Sequence, residues 1–235
     1  MEAIILAGGQ AERLGDAAGG RPKALVDVAG SPLAAYQVGR LAAAGVGRVI
    51  FACAAGQGGL FVEELSSLGP EIVAAEEPER LGRGGGIKFA ATFREETGDV
   101  FALNGDELID VDYQALFARH VEAGGLATIA VAQPKSQFGV VEVDGDDVVR
   151  GFQEAGVVPY WVNCGSYVLT TEAIMRFPDT GDHESTTFPE LAAEGRLHAY
   201  RHDGLWLTVN TPKELRVARD HVQAHPEWLA VKGSG

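Results

Sequence analysis

Short apolar runs at residues 3–7, 48–54, 72–75 and 99–103 punctuate the first half of the chain, with helical spacing between them at residues 32–44, 60–68 and 85–95. This alternation is the pattern of consecutive βαβ units, which bury their strands in a parallel sheet with helices on both faces. Ser31 reads as the N-cap of the first helix and Pro32 as its first residue. Strand patterns dominate the second half, at residues 127–132, 139–143, 148–152 and 161–169. Asp112 reads as the N-cap of a helix opening at Tyr113, and Thr211-Pro212-Lys213-Glu214 as a capping box opening the last one. A chain of 235 residues can bury a real core. No repeat, low-complexity segment or long linker divides it, so one domain over 1–235 is expected, with halves at 1–110 and 111–211 and a helix and tail at 212–232.

The formal net charge of −14 argues against nucleic acid or an anionic membrane as partner. An anionic small substrate stays open, because local charge decides that. Glu2, Glu12, Asp16 and Asp27 balance Arg13, Arg21, Lys23 and Arg40, so the first forty residues are the place to receive phosphate. Apolar residues make up 46% of the chain, but no run approaches the ~18 needed to cross a bilayer. The N-terminal apolar stretch is short and lacks a basic start, so no signal peptide is expected. Cys53 and Cys164 lie in apolar runs and read as buried free thiols in a reducing cytoplasm.

The first apolar run leads into Leu6-Ala7-Gly8-Gly9, then Arg13 and Lys23. Adjacent glycines after a strand bare backbone N–H groups that can cradle phosphate oxygens. Arginine adds a planar fork of donors and lysine a mobile point charge, the two usual holders of polyphosphate. An ordinary strand-to-helix turn is the bland alternative. The strand at residues 99–103 ends in Asn104-Gly105-Asp106. Ligands collect at the carboxyl ends of strands in such sheets, so Asp106 is placed to hold Mg2+, a hard cation that takes one or two carboxylates and fills its shell from phosphates. The glycines of Gly82-Arg83-Gly84-Gly85-Gly86 fit neither a Rossmann fingerprint nor a P-loop. His221 and His225 have zinc-compatible spacing, yet nothing completes a ligand set, and an exposed helix face is the simpler reading.

These residues resemble the sugar-1-phosphate nucleotidyltransferases, whose signature runs L-A-G-G-x-G-T-R-L and then P-K-x-L-x-x-V-x-G-x-P. Here it stands as Leu6-Ala7-Gly8-Gly9, Arg13-Leu14 and Pro22-Lys23 onward, with Ala11 and Glu12 departing from it. The resemblance implies an α/β fold, a Rossmann-like, mostly parallel sheet flanked by helices, of the glycosyltransferase-A-like nucleotidyltransferase type. It implies a nucleoside triphosphate and a sugar 1-phosphate as partners, Mg2+ as cofactor and a homo-oligomer as an open question. The first half would bind nucleotide through Leu6, Ala7, Gly8, Gly9, Arg13, Lys23, Glu77, Gly82 and Gly84. The second would bind sugar phosphate through Gly139, Glu154 and Asn163, with Asn104.

Three departures fall downstream. Arg83 replaces a usual Thr, where it would reach a phosphate or face solvent. Ala155 replaces a phosphate-directed Lys, and Thr208 stands where many members keep a second metal carboxylate. Asn210, two residues on, is read either as an oxygen ligand for the metal or as a turn residue. Asp110 and Asp112 form a D-x-D that lies past the strand end and is not assigned to metal. The sugar phosphate is already a nucleophile, so positioning and charge neutralisation would carry the reaction. Arg13, Lys23 and Asp106 are the expected catalytic residues: Arg13 on the departing pyrophosphate, Lys23 around the reacting phosphates and Asp106 on the metal. The alternatives are the same chemistry on inositol or choline phosphate, or an inactive nucleotide- or sugar-binding module.

Overall fold

The computed structural model describes residues 1–9, 13–15, 19–136, 138–225 and 227–228. The central strands are β1 (Glu2–Leu6), β4 (Arg48–Ala54), β5 (Glu71–Glu77), β6 (Val100–Asn104), β8 (Ala127–Ala132), β11 (Val162–Leu169) and β12 (Leu197–Arg201). They form one seven-stranded sheet in the order β12-β8-β11-β6-β1-β4-β5. β1 runs parallel to both β4 and β6, and β11 alone runs antiparallel to its neighbours β6 and β8. The mostly parallel α/β architecture is therefore the one expected. After β1 the chain steps outward to β4 and β5 and then returns to the other side of β1 as β6. That reversal opens a crevice at the carboxyl ends of β1 and β6.

The helices α1 (Leu33–Ala43), α2 (Gly58–Leu65), α3 (Gly82–Ala90), α4 (Tyr113–Ala123), α5 (Thr171–Met175) and α6 (Thr187–Ala193) cover the sheet, and α7 (Pro212–Ala224) packs beside it. One face packs Ile5, Val49, Phe51 and Phe101 with Val38 and Leu41 of α1 and Leu116 of α4. The other packs Ile4, Ile50 and Ala102 with Ile87 of α3 and Leu191 of α6. Neighbouring residues of one strand thus feed opposite cores, as the period of two requires. A third cluster joins Leu14, Val28 and Tyr36 to Leu215, Ala218 and Val222 of α7.

Asp112 caps α4 by accepting from Ala115 N–H at 2.9 Å. Thr211 caps α7, its hydroxyl accepting from Glu214 N–H at 3.3 Å, but the Glu214 side chain reaches back to Asn210 N–H and the Thr211 hydroxyl rather than to Thr211 N–H, so only half of the expected capping box forms. Ser31 does not cap α1. Two short strands, β2 (Asp27–Val28) and β3 (Ser31–Pro32), pair antiparallel, and the helix opens one residue later at Leu33. Proline has no N–H to lose at the edge of such a pair, so a strand end suits it as well as a helix start. Two further ribbons leave the sheet: β9 (Val140–Val143) with β10 (Val149–Gln153), and β7 (Glu107–Ile109) with β13 (Trp206–Thr208). Among the described residues no helix is long and apolar enough to cross a membrane. The tail expected after α7 is described only at residues 225, 227 and 228.

Candidate active site

β1 is clamped between β4 and β6, and its end fixes a loop. Ala7 N–H donates to Ala52 C=O at 2.7 Å, after which Gly8 and Gly9 follow. A side chain on Gly8 would come within 3.6 Å of Glu77 Oε1, while Gly9 meets open space. Gln10, Ala11 and Glu12 lie outside the described residues, as does Asp16. Leu14 is buried in the third core cluster and anchors the loop from its far side. Pro22 then leads into a short 3-10 turn, Lys23–Leu25, whose Ala24 and Leu25 are buried and whose Lys23 stays at the crevice.

β6 delivers the opposite wall. Gly105 N–H donates to Leu6 C=O at 2.9 Å, and a Cβ on Gly105 would stand 2.5 Å from that oxygen. Only glycine fits there, and Asp106 emerges immediately after it. Gln37 of α1 holds this bend from beneath, donating to Asn104 C=O at 2.7 Å and Glu107 C=O at 3.1 Å. The β7–β13 ribbon supplies the last piece, because Val209 N–H donates to Asp106 C=O at 2.8 Å and brings Asn210 alongside.

Lys23 Nζ donates to Asp106 Oδ2 at 2.6 Å and to Asn210 Oδ1. Arg13 donates to the same amide oxygen at 3.4 Å. Asn210 therefore presents its oxygen to two cations. Thr208 turns away: its hydroxyl donates to Glu214 Oε1 at 2.9 Å, and Glu214 Oε2 accepts from Asn210 N–H at 2.9 Å. These donors hold the Glu214 carboxyl below its ordinary range against the opposing effect of burial. Glu77 accepts from Leu81 N–H at 3.1 Å, and burial raises its carboxyl above the usual range.

A cavity of about 310 Å³ lies among these groups. Leu6, Ala7, Gly8 and Gly9 form one wall, Glu77 and Gly82 another, and Asn104, Asp106 and Asn210 the third, with Arg13 and Lys23 between. The remaining sequence candidates lie off these walls. Gly84 is buried, and a Cβ there would come within 2.8 Å of His183 N. Gly139 sits under the Phe152 ring, which a Cβ would meet at 2.4 Å. Glu154 is exposed just past β10. Asn163 is on β11, donating to Tyr167 Oη at 2.8 Å and Glu184 Oε1 at 2.9 Å.

Arg83 neither reaches out to solvent unpaired nor stands alone for a phosphate. It pairs with Asp182 at 2.9 Å through Nε and with Glu184 at 2.8 Å through Nη1. Arg83, Arg80, Glu184 and Glu107 were invisible as a set in the sequence. Arg80 and Arg83 line the cavity, and Glu107 is buried beneath it, its carboxyl pushed well above the usual range by burial and by Asp106. Asp110 faces His202 Nε2 at 3.1 Å, away from Asp106. The rings of His221 and His225 stack at 4.1 Å, and no group of three His, Cys, Asp or Glu side chains is arranged for a metal among the described residues. Cys53 and Cys164 are buried free thiols, raised by burial to about 12.

The chain is similar to proteins of known name. The catalytic subunit beta of mannose-1-phosphate guanylyltransferase from Xenopus tropicalis is 31% identical over 246 residues, 98% of this chain and 68% of that protein. Mannose-1-phosphate guanylyltransferase from Mycobacterium tuberculosis is 31% identical over 247 residues, 99% of this chain and 68% of that protein. Among solved structures, HddC from Yersinia pseudotuberculosis complexed with GMP-PN has the same fold, with a TM-score of 0.71 at 24% identity over 94% of this chain and 98% of that one. The family model described as nucleotidyl transferase matches residues 2–225, and the chain belongs to that family.

Proposed function

We propose that the protein transfers a nucleotidyl group from a nucleoside triphosphate to a sugar 1-phosphate, releasing pyrophosphate, with GTP as donor and mannose 1-phosphate as acceptor. The observation that carries this is the convergence of Arg13 and Lys23 on Asp106 and Asn210 at the reversal of the strand order. The two substrates are named by the relatives at 31% identity. Glu77 fits a guanine donor, because its carboxylate faces the cavity as an acceptor and guanine offers adjacent N–H groups.

The acceptor phosphate oxygen attacks the α-phosphorus, a P–O bond forms, and the bond to pyrophosphate breaks in line with it. No proton needs removal from the nucleophile, so the chain's task is to bring two anions together. Backbone N–H groups of the Gly8–Gly9 loop cradle the triphosphate, and Arg13 faces the departing pyrophosphate. Lys23 is within reach of the same phosphates and offsets their charge. Asp106 Oδ2 and Asn210 Oδ1 already converge on one cation, the Lys23 ammonium, and both are hard oxygen donors that suit Mg2+. When bound there, Mg2+ would neutralise α-phosphate charge, with substrate oxygens filling the rest of its shell.

Pyrophosphate release, measured for four nucleoside triphosphates against mannose, glucose, inositol and choline phosphates with Mg2+, tests the reading. Turnover with GTP and mannose 1-phosphate above all other pairs is the expected result. Turnover only with inositol or choline phosphate overturns the acceptor. Nucleotide binding without release of pyrophosphate from any pair overturns the enzyme.

A further inference from the structure

The cavity has a second pole. Arg83, at the start of α3, lines it, as does Asn104 at the end of β6. A chain of contacts runs behind these two residues. Asn104 Nδ2 presses on Gly165, where a Cβ would stand 2.3 Å away, and Gly165 N–H donates to Asn163 Oδ1 at 2.9 Å. Asn163 Nδ2 and Tyr167 Oη each donate to Glu184 Oε1 at 2.9 Å. Glu184 Oε2 closes the chain on Arg83 at 2.8 Å. Three donors occupy the Glu184 carboxylate, which has about four lone-pair sites. One acceptor position remains, and the side chain is 25% exposed.

The position of this carboxylate is held firmly. Gly181 N–H donates to Leu81 C=O at 2.7 Å, Gly84 N–H to Gly181 C=O at 2.9 Å, and Glu184 N–H to Asp182 Oδ1 at 2.9 Å. Its charge is also distinctive. Arg83 meets two carboxylates, Asp182 and Glu184, so the group as a whole carries one negative charge. Of the other cations on the cavity wall, Arg13 and Lys23 meet at Asn210, and Arg80 is exposed.

We propose that Glu184, held by Arg83, is the acceptor-selecting residue of the proposed transferase. Its free lone pair accepts from an acceptor hydroxyl, and the net negative charge of the Arg83–Asp182–Glu184 group rejects sugar 1-phosphates that carry a carboxylate. The acceptor class is then a neutral polyhydroxyl, or an amino sugar, 1-phosphate. This rests on the transferase reading, and its test separates the two.

Steady-state kinetics compare mannose 1-phosphate with glucuronic acid 1-phosphate, and equilibrium titration follows the binding of both without turnover. Glu184→Gln should raise KM for mannose 1-phosphate about 10-fold, leave KM for nucleotide within about 2-fold, and narrow the preference over the acid at least about 10-fold. Asp182→Asn keeps Glu184 in place and removes one charge. It should narrow that preference while leaving KM for nucleotide within about 2-fold. Arg83→Lys keeps the charge of the group and should stay near the parent's preference, whereas Arg83→Thr leaves two uncompensated carboxylates and should widen the preference against the acid. Melting curves confirm folding, and Asp182→Asn serves if Glu184→Gln does not fold. If the parent turns over nothing, the transferase reading fails, but titration with the two phosphates still measures selection. Parent binding of both acceptors with equal affinity, or an unchanged preference in Glu184→Gln and Asp182→Asn, overturns the proposal.

Discussion

Thr208 and Asn210 show how one residue position changes what its neighbour can do. Thr208 donates to Glu214 Oε1, and Glu214 also takes the N–H of Asn210 and the hydroxyl of Thr211. The carboxylate that supports the strand end is thus an outside one, from the first turn of α7. Restoring the commoner ligand by Thr208→Asp would set a second carboxylate against Glu214 with no proton between them. We expect Thr208→Asp to lower stability by about 1–3 kcal/mol and to bind Mg2+ no better than the parent. The double variant Thr208→Asp with Glu214→Gln should recover most of that loss. Thermal melting and calorimetric Mg2+ titration of the two variants check this, and a Thr208→Asp protein that is as stable as the parent would contradict it. Asp106 and Asn210 were legible because one follows a strand and the other precedes a cap, and Lys23 because it follows Pro22 shortly after the glycine loop. The partnership of Thr208 with Glu214 was not, because a capping box read from sequence says only that Glu214 serves its own helix.

Helix α3 opens on residues that an isolated helix would avoid, since each glycine costs about 1 kcal/mol relative to alanine. The reason lies outside the helix. A Cβ on Gly85 would stand 2.4 Å from Asp179 C=O, and one on Gly82 would stand 2.6 Å from Gly181 C=O. Backbone cannot swing aside as a side chain can. Gly85→Ala should therefore destabilise by about 1–3 kcal/mol in spite of its better helix propensity. Gly59→Ala in α2 meets nothing within 4 Å and should stabilise by about 0.5–1 kcal/mol. Urea unfolding of both variants checks the opposite signs, and the same sign for both would remove the packing account.

The same pairing of α3 with residues 178–183 explains what the sequence hid. Six of the seven strands of the sheet announced themselves by apolar runs, and β8 spans the residues expected of it, whereas the edge strand β12, Leu197–Arg201, mixes polar and apolar residues and went unseen. β7 and β13, three residues each, carry too little pattern to be seen, yet they bring Asn210 to Asp106. Glu184 sits in a loop without periodicity and reaches Arg83 only through the fold.

At the scale of the molecule, net charge and buried ionisable groups set the response to pH. His183 is fully buried, stacked on Phe177 at 4.6 Å and edge-on to Phe188 at 4.6 Å. Burial pushes its imidazole down to about 4, Arg83 acts in the same direction, and Asp182 opposes them. The folded protein therefore binds this proton less readily than the unfolded chain does. Stability is full above the ordinary histidine value and falls as pH drops from about 6.5 to about 4, by about 3 kcal/mol from this residue. His202 runs the other way. Asp110 raises it, so its contribution is full below about 6.5 and fades as pH rises through the folded value. His183→Leu should remove the acid-side slope between pH 6.5 and 4 that belongs to His183 alone. Urea unfolding across that range compares parent and variant, and equal slopes would show that the ring does not resist its proton.

The contact between α3 and residues 178–183 also bears on how such a sequence can drift. Arg83 and Asp182 are 99 positions apart, yet the glycines around one leave room only for the backbone path of the other. A bulkier residue in the first segment demands a new course for the second, and a new course for the second strands the first as a run of weak helix formers. Neither stretch can be exchanged alone by recombination without loss. The two are inherited, in effect, as a single segment written in two places.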